Sequence, residues 1–146
     1  MFMTLIDITE NNICFYKDFV SCYQKCLSKY MSRIYPDKMS VIKWCYINVQ
    51  GKNIGSIWLE QFDASTVKLG VFIAYEQYRH NGYGNLAINE MLKYAKDKGF
   101  KTVVLNVRSD NIYAYKIYQK QWCNCNFYDG KSITKQQTLV HQCTVF

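Results

Sequence analysis

Between Val67 and Ala95 the apolar residues change period, and that change constrains the fold more than any other feature of the chain. VKLGVFIAY, residues 67–75, is rich in β-branched and aromatic types and reads as a strand. From Gly82 onward, Ile88, Met91, Leu92 and Ala95 fall at i, i+3, i+4 and i+7, one face of a helix that ends near Gly99. Between them lies YRHNGYG, residues 78–84, which puts Arg79, Gly82 and Gly84 in one run. The first turn of a helix carries amides without intrahelical partners, and these can hold a phosphate. Glycines let the chain approach such a group and permit dihedrals that side chains oppose. Arg79 adds a fixed charge and a fork of donors. A plain helix entry fits the same residues, so an anion site and a surface turn both stand at this point. The run contains neither GxxxxGK[ST] nor GxGxxG, which sets aside the P-loop and the dinucleotide fingerprint.

The flanking segments extend the pattern. TLIDI is a short strand candidate, and ENNICFYKDFVSCYQKCLSKYM reads as a helix whose apolar face is Tyr16, Phe19, Val20, Tyr23, Leu27 and Tyr30. VIKWCYINV and IGSIWLE, joined by a turn at QGKN, form a hairpin that leads into the strand at residue 67. Gly70 inside that strand marks a bulge or a close backbone approach, or is a glycine tolerated near an edge. KTVVLNV carries apolar residues on both faces and belongs in a covered, central position. SDNIYAYKIYQKQ follows as a helix. WCNCNFY and QTLVHQCTVF then read as two strands joined around Asp129-Gly130. No linker or repeat divides residues 1–146. The order is β, α, three strands, α, β, α and two strands, a single mixed α/β domain with a mostly antiparallel sheet flanked by helices.

Composition narrows the function classes. Apolar types make up 49% of the 146 residues and charged types 20%, which argues against disorder. No apolar run approaches the roughly 18 residues of a membrane span, so no membrane partner is expected. The start, MFMTLIDITENN, lacks the flanks of a secretory signal, and a cytoplasmic location is expected. The seven cysteines form no CxxC pair, and with only His80 and His141 beside them no metal site is expected. An odd count fits reduced thiols better than a disulfide frame. The formal charge of +7 comes from scattered basic residues, which favours a generally basic surface over a nucleic-acid tract.

YRHNGYG, read as Arg79-x-x-Gly82-x-Gly84 after a strand, resembles the acyl-CoA-binding signature of the GNAT N-acyltransferases. Asn111, Ala114 and Tyr118 in NIYAYKIY are similar to that family's later N-x-x-A-x-x-x-Y pattern, and the resemblance spans roughly residues 41–128. It implies a GNAT-like fold in which the strand at Val71, Phe72 and Ile73 splays from the one at residues 102–107. Acetyl-CoA would be the co-substrate, its pyrophosphate held by backbone amides of Arg79, His80, Asn81, Gly82, Tyr83 and Gly84. Its pantetheine arm would pair with Val71, Phe72 and Ile73, and Asn111 would lie beside it. Lys116 and Lys120 fit phosphate contacts but fit solvated helix positions better.

The implied reaction is direct acetyl transfer to a primary amine on a small molecule or peptide. The amine must first lose a proton, the carbonyl oxygen needs a donor, and the departing thiolate needs protonation. By resemblance Tyr118 is the general acid and the Ile73 amide the oxyanion donor. The family often carries an acid near the start of the splayed strand, where this chain has Val67 and Lys68. Glu60, closing the preceding strand, is the first candidate base, with Glu76 behind it. The family's Gly-Phe pair after the last helix is replaced by QWCNC, which leaves the final strands poorly placed. His141 is isolated and is not expected to be the base. A non-catalytic CoA-binding or nucleic-acid-interacting domain is the alternative, the latter through Trp44, Tyr46 and Trp58. A homodimer stays open.

Overall fold

The computed structural model describes residues 2–22, 34–108, 125–130 and 138–144. Seven strands form one sheet in the order β1-β2-β3-β4-β5-β7-β6. They are β1 (Met3–Asp7), β2 (Val41–Val49), β3 (Lys52–Gln61), β4 (Thr66–Ile73), β5 (Thr102–Arg108), β6 (Cys125–Gly130) and β7 (Thr138–Thr144). Every neighbouring pair is antiparallel except β4 and β5, which run parallel. Helix α1 is Lys17–Cys22 and helix α2 is Tyr83–Asp97. The predicted α/β class and mostly antiparallel sheet are therefore observed.

Side-chain alternation along the strands sends two different cores to the two faces. On the α2 face, Cys45, Ile47, Ile57, Leu59, Val67, Leu69, Val103 and Leu105 pack with Ala87, Ile88, Met91 and Ala95. The helical face read from the sequence is thus the buried one. Truncating Ile88 or Met91 there would cost roughly 2–5 kcal/mol. On the α1 face the core is aromatic: Tyr16, Phe19, Tyr46, Trp58 and Phe72, with Trp44 against its rim.

Local chemistry explains the element ends. The β2–β3 hairpin turns through Gln50 and Gly51, both at positive φ (52° and 85°), the combination that matches the twist of paired strands. Lys52 and Asn53, assigned to the turn by sequence, are already in β3. Helix α2 ends in a Schellman arrangement, with Phe100 N bonding Ala95 O and Gly99 N bonding Lys96 O, and Gly99 sits at φ 90°.

Two sequence expectations are corrected, and the readings left open for Gly70 narrow to a close approach. The first helical segment opens as a 3-10 turn at Ile13–Tyr16 after a turn over residues 10–12; its continuation beyond Cys22 lies outside the described residues. Gly70 makes no bulge, because the β3–β4 register runs without a shift from Gly55↔Ile73 to Gln61↔Val67. Asp129-Gly130 is not the final turn. Those residues pair with Leu139 and Thr138, so the connection falls at 131–137, and the antiparallel register overrides a local turn signal. The predicted helix at 109–121, with Asn111, Ala114, Lys116, Tyr118 and Lys120, lies outside the described residues, as does Trp122.

Candidate active site

Strands β4 and β5 pair from Thr66↔Thr102 to Leu69↔Leu105 and then part. On its other side β4 stays paired with β3 as far as Gly55↔Ile73. Past Leu69, one edge of β4 therefore faces a fork. The direction of each peptide along that edge follows from one bond: Ala74 N donates to Ile54 O at 2.7 Å. Bonded and non-bonded pairs alternate in an antiparallel ladder, so Phe72 turns its amide and carbonyl toward β3, while Val71 and Ile73 turn theirs into the fork. Of the three residues that the resemblance assigns to a pantetheine arm, Val71 and Ile73 present backbone groups to the fork. Phe72 instead buries its ring beneath α1, 5.6 Å from Phe19.

The fork opens toward the glycine run. A 3-10 turn at Glu76–Tyr78 leads into it, and His80 and Gly82 both adopt positive φ, 64° and 84°. The first bond into α2 is Leu86 N to Gly82 O at 3.1 Å. The amides of Tyr83, Gly84 and Asn85 come before it and have no carbonyl one turn back. The N-cap Gly82 contributes no side-chain bond, and no acidic residue occupies the first turn. Among the described residues, a Cβ added to Gly84 would meet nothing within 4 Å. Amides without intrahelical partners and the positive end of the helix dipole, with that room beside them, fit a phosphate group.

Arg79 has a different place from the one its charge suggested. Its Nε donates to Ile73 O at 3.1 Å and its Nη2 to Ala74 O at 3.4 Å, tying the loop to the end of β4. Asn81 Nδ2 donates to Gln77 O at 3.2 Å and braces the same turn. A cation that sequence reading missed also stands here. Lys52 of β3 holds its Nζ 4.8 Å from the Tyr75 ring centroid and 5.5 Å from that of Tyr78. Only the hairpin register brings it close, so no local signal announces it.

At the vertex, the indole of Trp58 covers Gly70, the first β4 residue past the last β4–β5 pair. Glu60 is buried, at 5% exposure, and sits directly across from Lys68. The carboxylate expected near the start of the splayed strand thus stands one strand over, while Lys68 places its Nζ 4.8 Å from the Phe62 ring centroid. Glu60 Oε1 accepts from Trp58 Nε1 at 3.0 Å, and Oε2 accepts from the Asp37 amide at 2.9 Å. Glu76 is exposed in its 3-10 turn. Burial, the largest cause in each case, pushes Tyr46 up to about 12 and Tyr16 upward as well, so these phenols remain protonated parts of the core. Among the described residues, no three His, Cys, Asp or Glu side chains gather as metal ligands would.

A parallel strand pair that forks beside a glycine turn and a helix N-terminus is the framework that the resemblance to acyl-CoA transferases implies. Residues 12–122 match the model of the Acetyltransferase (GNAT) family, and the chain belongs to that family. No curated protein sequence matches it. Its fold is similar to spermidine N-acetyltransferase from Vibrio cholerae in complex with CoA and spermine, at 13% identity, TM-score 0.75, and 98% and 95% coverage of the two chains. It is also similar to yncA from Salmonella typhimurium with its cofactor acetyl-CoA, at 10% identity, TM-score 0.73, and 100% and 95% coverage. An aminoglycoside acetyltransferase in complex with coenzyme A and kanamycin gives 12% identity, TM-score 0.77, and 98% and 95% coverage.

Proposed function

We propose that this chain transfers an acetyl group from acetyl-CoA directly to a primary amine of a small molecule or peptide. The observation that carries the proposal is the open β4 edge running from the fork at Leu69 into the glycine turn at Gly84. An extended polyamide arm with a pyrophosphate at one end suits that edge and that helix terminus.

The amine reacts as the free base. Its lone pair bonds to the acetyl carbonyl carbon, the nitrogen then gives up its excess proton to water, the carbon–sulfur bond breaks, and the departing thiolate takes a proton. The Ile73 amide, turned into the fork, donates to the carbonyl oxygen. Tyr118, by family resemblance, supplies the proton to sulfur, and Asn111 lines the cofactor. No residue need form a covalent intermediate, so the reaction asks for no cysteine nucleophile. We place the reaction in the cytoplasm, where free thiols persist.

Acetyl-CoA turnover against an amine panel, with mass detection of products, tests the reading. Polyamines and aminoglycosides head the panel because similar folds are seen with spermine and kanamycin. Transfer to any amine supports the reading. Saturable CoA binding without transfer to any acceptor would favour a non-catalytic CoA-binding domain.

A further inference from the structure

We propose that Glu60 is a positioning residue, not the base: it fixes the indole of Trp58 over Gly70 at the vertex of the fork and ties that indole to the turn that begins at Asp37. The inference rests on the acetyl-transfer reading and assigns a role within the same site.

Three observations carry it. First, both carboxylate oxygens already accept hydrogen bonds from groups of fixed direction, the Trp58 indole and the Asp37 amide. Each oxygen keeps a second lone pair, but two fixed donors and 5% exposure leave the carboxylate oriented by the protein and turned from solvent. Second, the indole it holds is not distant scaffold. Trp58 Cε2, Cζ2 and Nε1 would stand 2.2, 2.3 and 2.5 Å from a Cβ on Gly70, where β4 leaves β5. The ring therefore lies against β4 where the fork begins, so a change in its tilt is felt by that strand. Third, the Asp37 amide heads a built turn. Asp37 O accepts from Ser40 N and Val41 N, and Asp37 Oδ2 accepts from Ser40 Oγ at 2.9 Å. Gln61 N in turn donates to Ser40 O at 2.8 Å. Tyr35, just before the turn, packs its ring 4.9 Å from Tyr16 and 6.2 Å from Trp44. One carboxylate thus joins Trp58 to the turn that follows Tyr35, whose ring packs in the same aromatic layer.

The chemistry demands a carboxylate at this point. Two N–H donors converge on it, and a carboxylate accepts at both oxygens. Glutamine accepts at only one, so Glu60→Gln sets an amide N–H against one of the two donors. Trp58→Phe keeps a ring over Gly70 and removes only the indole donor and part of the ring area.

The test uses the full chain as wild type, Glu60→Gln, Trp58→Phe and the double variant. The first readout needs no turnover: the Trp58 indole N–H resonance, identified by its loss in Trp58→Phe, is followed by nuclear magnetic resonance. It should shift on titration with acetyl-CoA, and Glu60→Gln should move it in the absence of ligand. The second readout is the single-turnover rate and its pH profile with an accepted amine. Each single variant should slow transfer by roughly 10- to 100-fold, the double variant should be no slower than the worse single one, and the acid limb should persist in all. Loss of the acid limb in Glu60→Gln alone would make Glu60 the base and overturn the proposal. An indole resonance indifferent to saturating acetyl-CoA would overturn it as well. Failure of the wild type to acetylate any amine would refute the transfer reading, and the indole titration would still decide whether the Glu60–Trp58 pair answers to acetyl-CoA.

Discussion

Gly70 exists to admit Trp58. A Cβ at residue 70 would come within 2.2 Å of the indole Cε2, and that indole is 2% exposed in a closed aromatic core. Gly70→Ala therefore forces either the ring or strand β4 to move. Overpacking of this kind costs about 1–3 kcal/mol, and urea melts should show that loss. An unchanged midpoint would mean that the vertex accommodates a methyl group and that Trp58 is not fixed there.

Gly84 should behave in the opposite way. Its dihedral is not of the positive kind, and no described residue lies within 4 Å of an added Cβ, so Gly84→Ala leaves the apo protein equally stable or stabilises it by up to roughly 1 kcal/mol. The added methyl group enters the cradle and should weaken CoA binding. Calorimetry showing undiminished affinity would place the phosphate elsewhere. Gly82→Val should weaken binding and stability together, because Gly82 sits at φ 84°.

Arg79 should matter for geometry as well as charge. Loss of its two donations to Ile73 O and Ala74 O should destabilise by roughly 1–3 kcal/mol in Arg79→Ala. The effect on CoA affinity should be milder than that of Gly82→Val, since the helix amides remain. Arg79→Lys should rescue little, because an ammonium cannot reproduce the planar fork. Full rescue by lysine, read by thermal melting, would mean that only the charge counts.

Tyr118→Phe keeps the ring and removes the hydroxyl. Folding and CoA affinity should hold while the chemical step slows by roughly 10- to 1000-fold, the range for losing a positioned acid. Single-turnover measurements are needed, since product release can mask chemistry. An unchanged rate would remove the general-acid role from Tyr118 and leave water as the proton source.

Alkaline pH should unfold the protein through its core. Burial first, then the neighbouring Asp7 carboxylate, pushes the Cys45 thiol up to about 12 from 9.0, and burial pushes Tyr46 up to about 12 from 10.0. Between those values the folded state binds more protons than the unfolded one, so stability falls as pH rises. The loss begins near pH 9 and continues toward 12. Melting temperatures across that window should decline, and Cys45→Ala should flatten the first part of the decline. At pH 8 an alkylating reagent should label exposed Cys14 well before buried Cys45.

The sequence by itself determined the order and type of the elements. The switch at Gly82 from strand to helical period names both β4 and the buried face of α2, because period depends only on neighbours within a turn or two. Glycine chemistry fixed the N-terminus of α2 at Gly82 and its end at Gly99 for the same local reason. The motif YRHNGYG could be read as a cradle, but not the fact that Arg79 turns back onto Ile73 and Ala74. Nor did any local signal show that Phe72 faces β3 while Val71 and Ile73 face the fork. Those depend on which strands pair and in what register, and register is a long-range property set when Trp58 meets Gly70 and Glu60 meets Lys68. The same cause misled the sequence reading at Asp129-Gly130, where a good local turn pair lies within a strand. Tertiary structure decided where β4 and β5 part and brought the Asp37 amide to Glu60, because only the packed chain places residues remote in sequence within hydrogen-bonding distance.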